Sequence, residues 1–564
     1  MTAQLTFDTD VAIIGAGPVG MALACELIRH GLRVRIFDKS PTTKDYSRAP
    51  VFWPRAQEAL DLMGLHSLWN GRTTALRRMN VNIYGEPAGV VDLDGCESAH
   101  PVPMMVGQDV TEKILARRLA ELGCEVTRSS EALDVALRSD GVTLTVRHAD
   151  GGIESFDASW IVGCDGTQSL VREKTGIEWI GHRLNGLMVS VTDTTARWAL
   201  PQGDGDAYVA LTEHGYLLAI PMPECWRVIV ATPDVPGPHR QTSTTLPEVA
   251  RLTADALGGP VEFSDASWVA VVRYGNYIAR DFRRGRALLA GDAAHSIAPL
   301  SGQGMNIGIQ DAMDLGWKLS YVHKGWAADT LLDSYNEDRR PVAQRLEQST
   351  NRFFRRVLKS DKWRRHLART AAPLALKSEK LRERIAGFYT GTDIHYSDSP
   401  LSDCHRGRHP QPGEHVRDGE LIRWPRLEPM RLLDALRGRH WTVMLFSGAS
   451  VDADSLNQRC AQLEHLSDLT GADRLRTLLV VGAPSAPALR ACEGITIALD
   501  AWRSVHKKYA AGRGALVLVR PDGYVALHRA SHAVDFEALH ALVERILGSP
   551  VTNASNEFAA GNIS

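Results

Sequence analysis

The apolar positions change period several times along the chain. Residues 10–40, DVAIIGAGPVGMALACELIRHGLRVRIFDKS, open on a short continuous apolar run and break at a glycine turn. They continue with helical spacing to Gly31 and return to a second run ending at Asp38. That order predicts a βαβ unit with a parallel strand pair. From Asn80 to about Asp165 the periods mix, with a helix over 111–122 and alternating strands in VTLTVRHADGGIESFDASWIVGCDG, the pattern of a parallel sheet with inserted strands. Over 180–280 the chain turns to strand alternation, AYVALTEHGYLLAIPM and WRVIVATP, with Glu213-His214-Gly215 as a turn, which predicts a separate antiparallel sheet. The first pattern returns at GRALLAGDAAH, so the β-rich stretch reads as an insertion into a discontinuous dinucleotide domain. Helical spacing then runs from Asn306 to about Phe388. The cluster SDSPLSDCHRGRHPQPGEH reads as a linker. Beyond it WTVMLF, LRTLLVVG and GALVLVRPDGYVALHR alternate with helical stretches, as in a third α/β domain.

The predicted boundaries are 1–180 for the first part of the dinucleotide domain and 181–280 for the substrate sheet. Residues 281–400 form its second part with the long helices, 401–550 the last domain and 551–564 a disordered tail. A length of 564 residues agrees with this, at roughly 100–200 residues per domain. Hydrophobic residues at 44% and charged residues at 23% are those of an ordinary globular chain. A net charge of −2 gives no basic footprint for nucleic acid. The most basic stretch, RFFRRVLKSDKWRRHLART, interleaves its charges with apolar residues at helical spacing and reads as a solvated helix with one packed face. Eight cysteines are scattered without CxxC or metal-type spacing, so free thiols in a cytoplasmic protein and no metal site are expected. The start MTAQLTFDTD lacks signal-peptide character, and GAGPVG breaks the one apolar stretch near it, so no membrane association is expected.

Gly15, Gly17 and Gly20 form GxGxxG directly after the first strand, and Asp38 closes the second. Glycines let backbone approach a pyrophosphate at a helix N-terminus, while the acid takes a ribose hydroxyl. The pattern points to a dinucleotide and does not separate NAD from FAD.

Two further segments carry a resemblance. CDGTQSLVR (164–172) and GDAAHSIAPLSGQGMN (291–306) are similar to the Asp-Gly and Gly-Asp signatures of the single-component flavoprotein aromatic hydroxylases, which include phenol, hydroxybenzoate and hydroxyphenylpropionate hydroxylases. With GxGxxG they stand in that family's order, and QDAMDLGWKL, LLDSYNEDRRPVA and GQDVTEKILARRL extend the match over roughly 8–345. KKYAAGRGALVLVRPDGYVA resembles the thioredoxin-like C-terminal domain of the phenol hydroxylase branch, and the absence of CxxC leaves no dithiol chemistry expected there. The implied fold is a Rossmann-like FAD-binding domain, an inserted antiparallel β-sheet substrate domain and a thioredoxin-like domain.

The resemblance implies FAD as resident cofactor, NADPH or NADH as transient reductant, and O2. The implied reaction is hydroxylation of a phenolic ring through a flavin C4a-hydroperoxide. A rival on the same fold is epoxidation or Baeyer–Villiger oxidation of a polycyclic natural product. A small aromatic molecule is the expected partner, and a homodimer is left open. By the same resemblance Asp292 holds ribityl hydroxyls, and Gly302, Gly304, Met305 and Asn306 bring backbone N–H groups and a helix N-terminus to the flavin ring. Pro299 stands beside the point of oxygen addition. Asp165 lies near the ribityl chain or the nicotinamide route. Lys39 and Arg48 contact FAD, and Gln108 its ribityl or pyrophosphate region. Ser301 stands where the family often has Gly, and Trp53 where it often has a smaller polar residue, so Trp53 is expected to shape the pocket. His295 reads as structural. Tyr208, His214, Tyr216 and Arg273 are the candidates for substrate contact.

Overall fold

The computed structural model describes residues 7–43, 49–183, 187–198, 200, 203–213, 215–234, 243–298, 302–358, 362–403, 407, 409–448, 457–458, 461, 464, 471, 473–482, 494–530 and 536–547. The chain divides into two compact units, one of residues 1–317 and 335–394, the other of 318–334 and 395–564. The stretch 318–334 thus groups with the C-terminal unit, and the boundary falls at Ile394 instead of 400.

In the first unit the strands Ala287–Leu289, Ile153–Gly163, Thr9–Ile14, Val34–Phe37 and Val126–Thr127 lie side by side and parallel. Val11, Ala12, Ile13, Ile161 and Val162 are fully buried, because helices cover both faces of such a sheet and continuous apolar runs result. Hairpin strands Glu131–Leu137 and Val142–Arg147 add antiparallel pairs to Ile153–Gly163, which accounts for the mixed periods there. The helix Pro18–Arg29 starts on a proline and packs on the sheet along Met21, Leu23, Ala24 and Leu27. Its one buried carboxylate, Glu26, accepts both guanidinium bonds of Arg29 at 2.8 and 2.6 Å and lies 3.2 Å from His30. Burial alone would raise its pKa, but Arg29 and His30 outweigh burial and hold it near 2.

The second sheet has seven strands, in the order Val261–Val272, Leu187–Trp198, Trp226–Pro233, Tyr216–Pro221, Asp206–Leu211, Arg78–Ile83, Glu86–Asp92. Two features depart from the sequence expectation. Residues 78–92 belong to this sheet although they lie outside 181–280, and Arg78–Ile83 pairs parallel with Asp206–Leu211 in an otherwise antiparallel array. Both faces of the sheet are covered. Tyr208, Ala210, Val228 and Val230 pack under the helix Leu246–Leu257 with Trp198 and Trp226, while Ala207, Val209, Leu218 and Ile229 face a cavity. Tyr208 is 4% exposed in an aromatic cluster with Trp198 and Trp226. The period of two therefore turns it away from the cavity, and its reading as a substrate contact is corrected.

The predicted long helices are Gly304–His323, Asp333–Leu358, Lys362–Ala375 and Glu379–Thr390. The second unit carries a mixed sheet. Its strands Trp441–Phe446, Leu475–Gly482 and Ile495–Asp500 are parallel neighbours, Ala515–Val519 and Val525–Arg529 continue antiparallel, and the helix Phe536–Leu547 follows. Cys404, Cys460, Cys492 and the tail 551–564 lie outside the described residues. No described helix is long and apolar enough to cross a membrane.

A carboxyl held near 2 against its ordinary 4.5 adds stability that is complete above 4.5 and is lost as pH falls towards 2. Glu26→Gln is therefore less stable than the parent at neutral pH, with a deficit that shrinks over that acid range; denaturant melts at a series of pH values read this. Tyr208→Ala opens a hole under the helix Leu246–Leu257 and costs about 3 kcal/mol. Calorimetry shows the lower Tm, while ligand affinity at the cavity is unchanged.

Candidate active site

A cavity of about 1340 Å³ runs from the glycine turn to the second sheet, all within the first unit. It exceeds the roughly 300–1,000 Å³ of an ordinary small-molecule site. Gly15, Gly17, Asp38, Lys39, Gln108, Asp165, Asp292, Gly302, Gly304 and Met305 line it, together with Trp53, Tyr216 and Arg273. Gly20 and Asn306, like Tyr208, do not.

At one end two strand-to-helix turns cross. Gly15 has φ +98°, and a Cβ there would stand 2.3 Å from the Cys164 carbonyl oxygen, so only glycine fits. Gly20 is a packing residue: its Cβ would lie 2.0 Å from the Gly15 oxygen, where the helix approaches the turn. Gly17 differs from both. A Cβ there meets nothing within 4 Å, and it caps the helix Pro18–Arg29 without a side-chain hydrogen bond. The turn thus presents backbone N–H groups and a helix N-terminus to open space, as an anionic pyrophosphate requires. Asp38 faces the same space. Its carboxylate accepts the Ala16 N–H at 2.7 Å and the Ser40 N–H at 2.8 Å, which fixes it beside the turn. Gln108 begins the helix Gln108–Glu121 and donates to Glu112 at 2.8 Å.

Asp165 follows the buried strand Ile153–Gly163. Its Oδ2 accepts the Leu170 N–H at 2.7 Å, while Oδ1 is buried without a partner. Burial is the largest influence and raises its pKa, against hydrogen bonds from Ser169 and the following amides. An orphan buried acceptor on the cavity wall fits a ligand hydroxyl. Asp292 sits exposed to the cavity in the short turn Gly291–Ala293. Behind that turn lies Asp311, fully buried, accepting from His295 at 2.6 Å, Arg339 at 2.7 Å and the Gly291 N–H at 3.0 Å. Burial would raise Asp311, but its contacts with His295 and Arg339 hold it below the ordinary carboxylate range. His295 is turned into this cluster and away from the cavity, as its structural reading expects.

The helix Gly304–His323 begins at the cavity. Gly302 has φ +62°, and a Cβ there would crowd Val51 at 2.8 Å. The Asn306 side chain is turned inward and does not line the cavity. It accepts the Trp53 N–H at 2.7 Å and donates to the Val51 and Gly302 carbonyls, tying loop 302–304 to the segment that carries Trp53. Arg48, His214, Pro299 and Ser301 lie outside the described residues.

The other end of the cavity is apolar and aromatic, with Met79, Ile229, Trp268, Phe353 and Tyr389 among its lining. Tyr216 is 3% exposed and packs edge-on to Phe353. Arg273 reaches the wall already engaged, with two bonds to Asp234 at 3.0 and 3.1 Å. Trp268 donates its indole N–H to Asp193 at 2.9 Å, and Asp193 also pairs with the buried Arg227. Sequence reading missed Trp268, Tyr274 and Tyr389. Their aromatic character was the available signal, but it did not tell cavity from core.

A glycine turn open to a pyrophosphate, an orphan carboxylate oxygen and an aromatic far end define a dinucleotide-binding protein with an adjoining substrate site. The comparisons make the class specific. The FAD-binding domain family matches residues 8–350, and the C-terminal domain of aromatic-ring hydroxylases matches 409–550. The chain is 32% identical to the 6-methylpretetramide 4-monooxygenase of Streptomyces rimosus over 92% of its own length and 90% of that protein's. It is 26% identical to the pentachlorophenol 4-monooxygenase of Sphingobium chlorophenolicum over 92% and 93%. The anhydrotetracycline hydroxylase OxyS of Streptomyces rimosus superposes with a TM-score of 0.73 at 26% identity, covering 96% of this chain and 99% of that one. The chain belongs to the FAD-dependent aromatic-ring hydroxylases, flavin monooxygenases that hydroxylate aromatic and polyketide substrates with O2 and NAD(P)H.

Two substitutions test the cofactor end. Asp292→Ala removes a carboxylate from the cavity wall and is expected to weaken FAD retention about tenfold or more. Gly17→Val fills the space before the helix N-terminus and does the same through exclusion. Flavin absorbance after gel filtration reads both, and full retention in either variant refutes the assignment of that residue.

Proposed function

We propose that this enzyme hydroxylates a fused polycyclic phenol, with FAD along the glycine-turn end of the cavity and the substrate against the seven-stranded sheet. The observation that carries this is the size and continuity of the cavity, about 1340 Å³ in one space, polar at one end and aromatic at the other. It leaves room for more than a single ring beyond the cofactor. The relatives named for 6-methylpretetramide and anhydrotetracycline support the same substrate class, against the one named for pentachlorophenol.

Bound flavin supplies hydride acceptance from NAD(P)H and the activation of O2. The protein's own groups do the rest. Gly17 and the helix Pro18–Arg29 take the pyrophosphate, and Asp38 takes the adjoining ribose hydroxyls. Lys39 reaches the same region, with Arg48 proposed beside it on sequence grounds. Asp165, Asp292 and Gln108 face the polar chain between phosphate and ring. Gly302, Gly304 and Met305 would offer backbone N–H groups and a helix N-terminus to the flavin, a positive end that favours negative charge on a ligand. Pro299 remains our assignment for the wall beside the reacting carbon. Ile229, Trp268 and Tyr216 exclude water from the substrate side, which protects the oxidant from wasteful decay. Arg273 shapes this wall through its pairing with Asp234. Cytoplasmic action belongs to the same reading, supported by free Cys25, Cys96, Cys124, Cys164 and Cys225.

Stopped-flow reduction of the bound flavin by NADPH and by NADH without oxygen tests the proposal. The reaction is run alone and with single-ring phenols, aromatic acids and hydroxylated anthraquinones. Acceleration by the polycyclic group, with product mass increased by one oxygen on aeration, is the expected outcome. Acceleration confined to single-ring phenols overturns the polycyclic assignment. A product formed by ring expansion or epoxide formation overturns the hydroxylation.

A further inference from the structure

The polar groups on the substrate side of the cavity are nearly all committed to other parts of the protein. Arg273 is bidentate to Asp234, and the Trp268 indole N–H goes to Asp193. Tyr389 is different. It lines the cavity, and its hydroxyl has no hydrogen-bond partner among the described residues.

The position of Tyr389 is built. It stands in the last turn of the helix Glu379–Thr390, which ends on Gly391 in the left-handed conformation. The Gln303 amide, 4% exposed, donates to the Phe388 carbonyl at 3.0 Å and to the Tyr389 carbonyl at 2.6 Å. Gln303 sits between Gly302 and Gly304, so one side chain fastens this helix end to the loop beside the flavin region. The Tyr389 ring also packs on Trp53, centroids 5.5 Å apart. Trp53 in turn is held by Asn306 through its backbone N–H. The phenol is thus fixed from its backbone and from its ring, and only its hydroxyl is left to act. Burial pushes its pKa up to about 12, so at neutral pH the group is a neutral donor. Tyr389 is half-buried, and a phenol hydroxyl on a cavity wall can donate to a ligand acceptor.

We propose that Tyr389 anchors the aromatic substrate by donating a hydrogen bond from its hydroxyl to a phenolic or quinone oxygen, with Gln303 setting its position relative to the flavin loop. This inference rests on the polycyclic-phenol reading. A neutral donor stabilises a phenolate more than a phenol, since hydrogen bonds to charged acceptors are the stronger ones. The same contact therefore favours both binding and the activated form of the ring.

The test uses FAD-loaded full-length enzyme and two probes, 1-hydroxyanthraquinone and anthracene, a fused three-ring hydrocarbon with no oxygen acceptor, whose affinities are read from perturbation of the flavin spectrum. In Tyr389→Phe the hydroxyanthraquinone is expected to bind about tenfold more weakly, with anthracene and FAD content unchanged. The apparent pKa of bound hydroxyanthraquinone, followed by its visible absorbance, is expected to rise in the variant. A Gln303→Leu variant is expected to retain the hydroxyl but reproduce part of the loss. Equal affinities for hydroxyanthraquinone in parent and Tyr389→Phe, or equal losses for both probes, overturn the anchor while leaving the polycyclic reading intact. Failure of the parent enzyme to bind either probe overturns that reading, and the anchor with it.

Discussion

The backbone crossing at Gly15 and Cys164 constrains everything at the cofactor end. A Cβ at Gly15 would stand 2.3 Å from the Cys164 carbonyl oxygen and 2.8 Å from the Asp165 Cα. The crossing exists because Thr9–Ile14 and Ile153–Gly163 are parallel neighbours whose C-terminal ends turn outward together, Ile14 opposite Gly163. Bringing them this close sets the glycine turn beside the backbone of Asp165. Ligand sites in open parallel sheets form at such strand ends. The glycine is therefore less a contact than the condition that allows two contacts to face one ligand.

A second constraint, Asp311, fixes the remaining piece. Its charge is buried among His295 and the Gly291 N–H, both from the turn 291–296, and Arg339 from the helix Asp333–Leu358. Loss of the carboxylate would break the buried pair with Arg339, 1% exposed, and removing one member of a buried pair typically costs about 3–5 kcal/mol. The turn carrying Asp292 is thus referenced to the helix Gly304–His323 from behind. Asp292 itself remains directed at the cavity. The residue that looks catalytic by type, His295, serves this internal fastening.

What could be read from the sequence follows from how local each cause is. Gly15, Gly17 and Gly20, the buried strand before them and Asp38 lie within one continuous unit, so their spacing carries their geometry. Asp165 and Asp292 were legible because each directly follows an apolar strand. Tyr208 was not, since its strand is covered on both faces and alternation alone could not say which face meets the ligand. The parallel pairing of Arg78–Ile83 with Asp206–Leu211 joins segments far apart in the chain and leaves no local mark. Asn306 was read toward the flavin because its helix points there, but its side chain is used up by Val51, Gly302 and Trp53. Gln303 and Tyr389 meet across more than 80 residues, a contact that only the folded chain displays.

The two ends of the cavity solve different problems with different materials. The cofactor end uses backbone amides, fixed carboxylates and glycines, groups whose positions tolerate little change because each is set by a close contact. The substrate end uses side chains from a sheet whose strands keep their register whatever the inward residues are. Exchange of Ile229 or Val209 alters shape without disturbing a hydrogen-bonded turn, since their neighbours on the strand are held by the ladder and not by them. Such a division lets one cofactor arrangement serve substrates of different outline, consistent with relatives named for molecules as unlike as pentachlorophenol and anhydrotetracycline. Selectivity in this chain then resides in the few polar groups that break the apolar wall, and their scarcity is what makes each of them count.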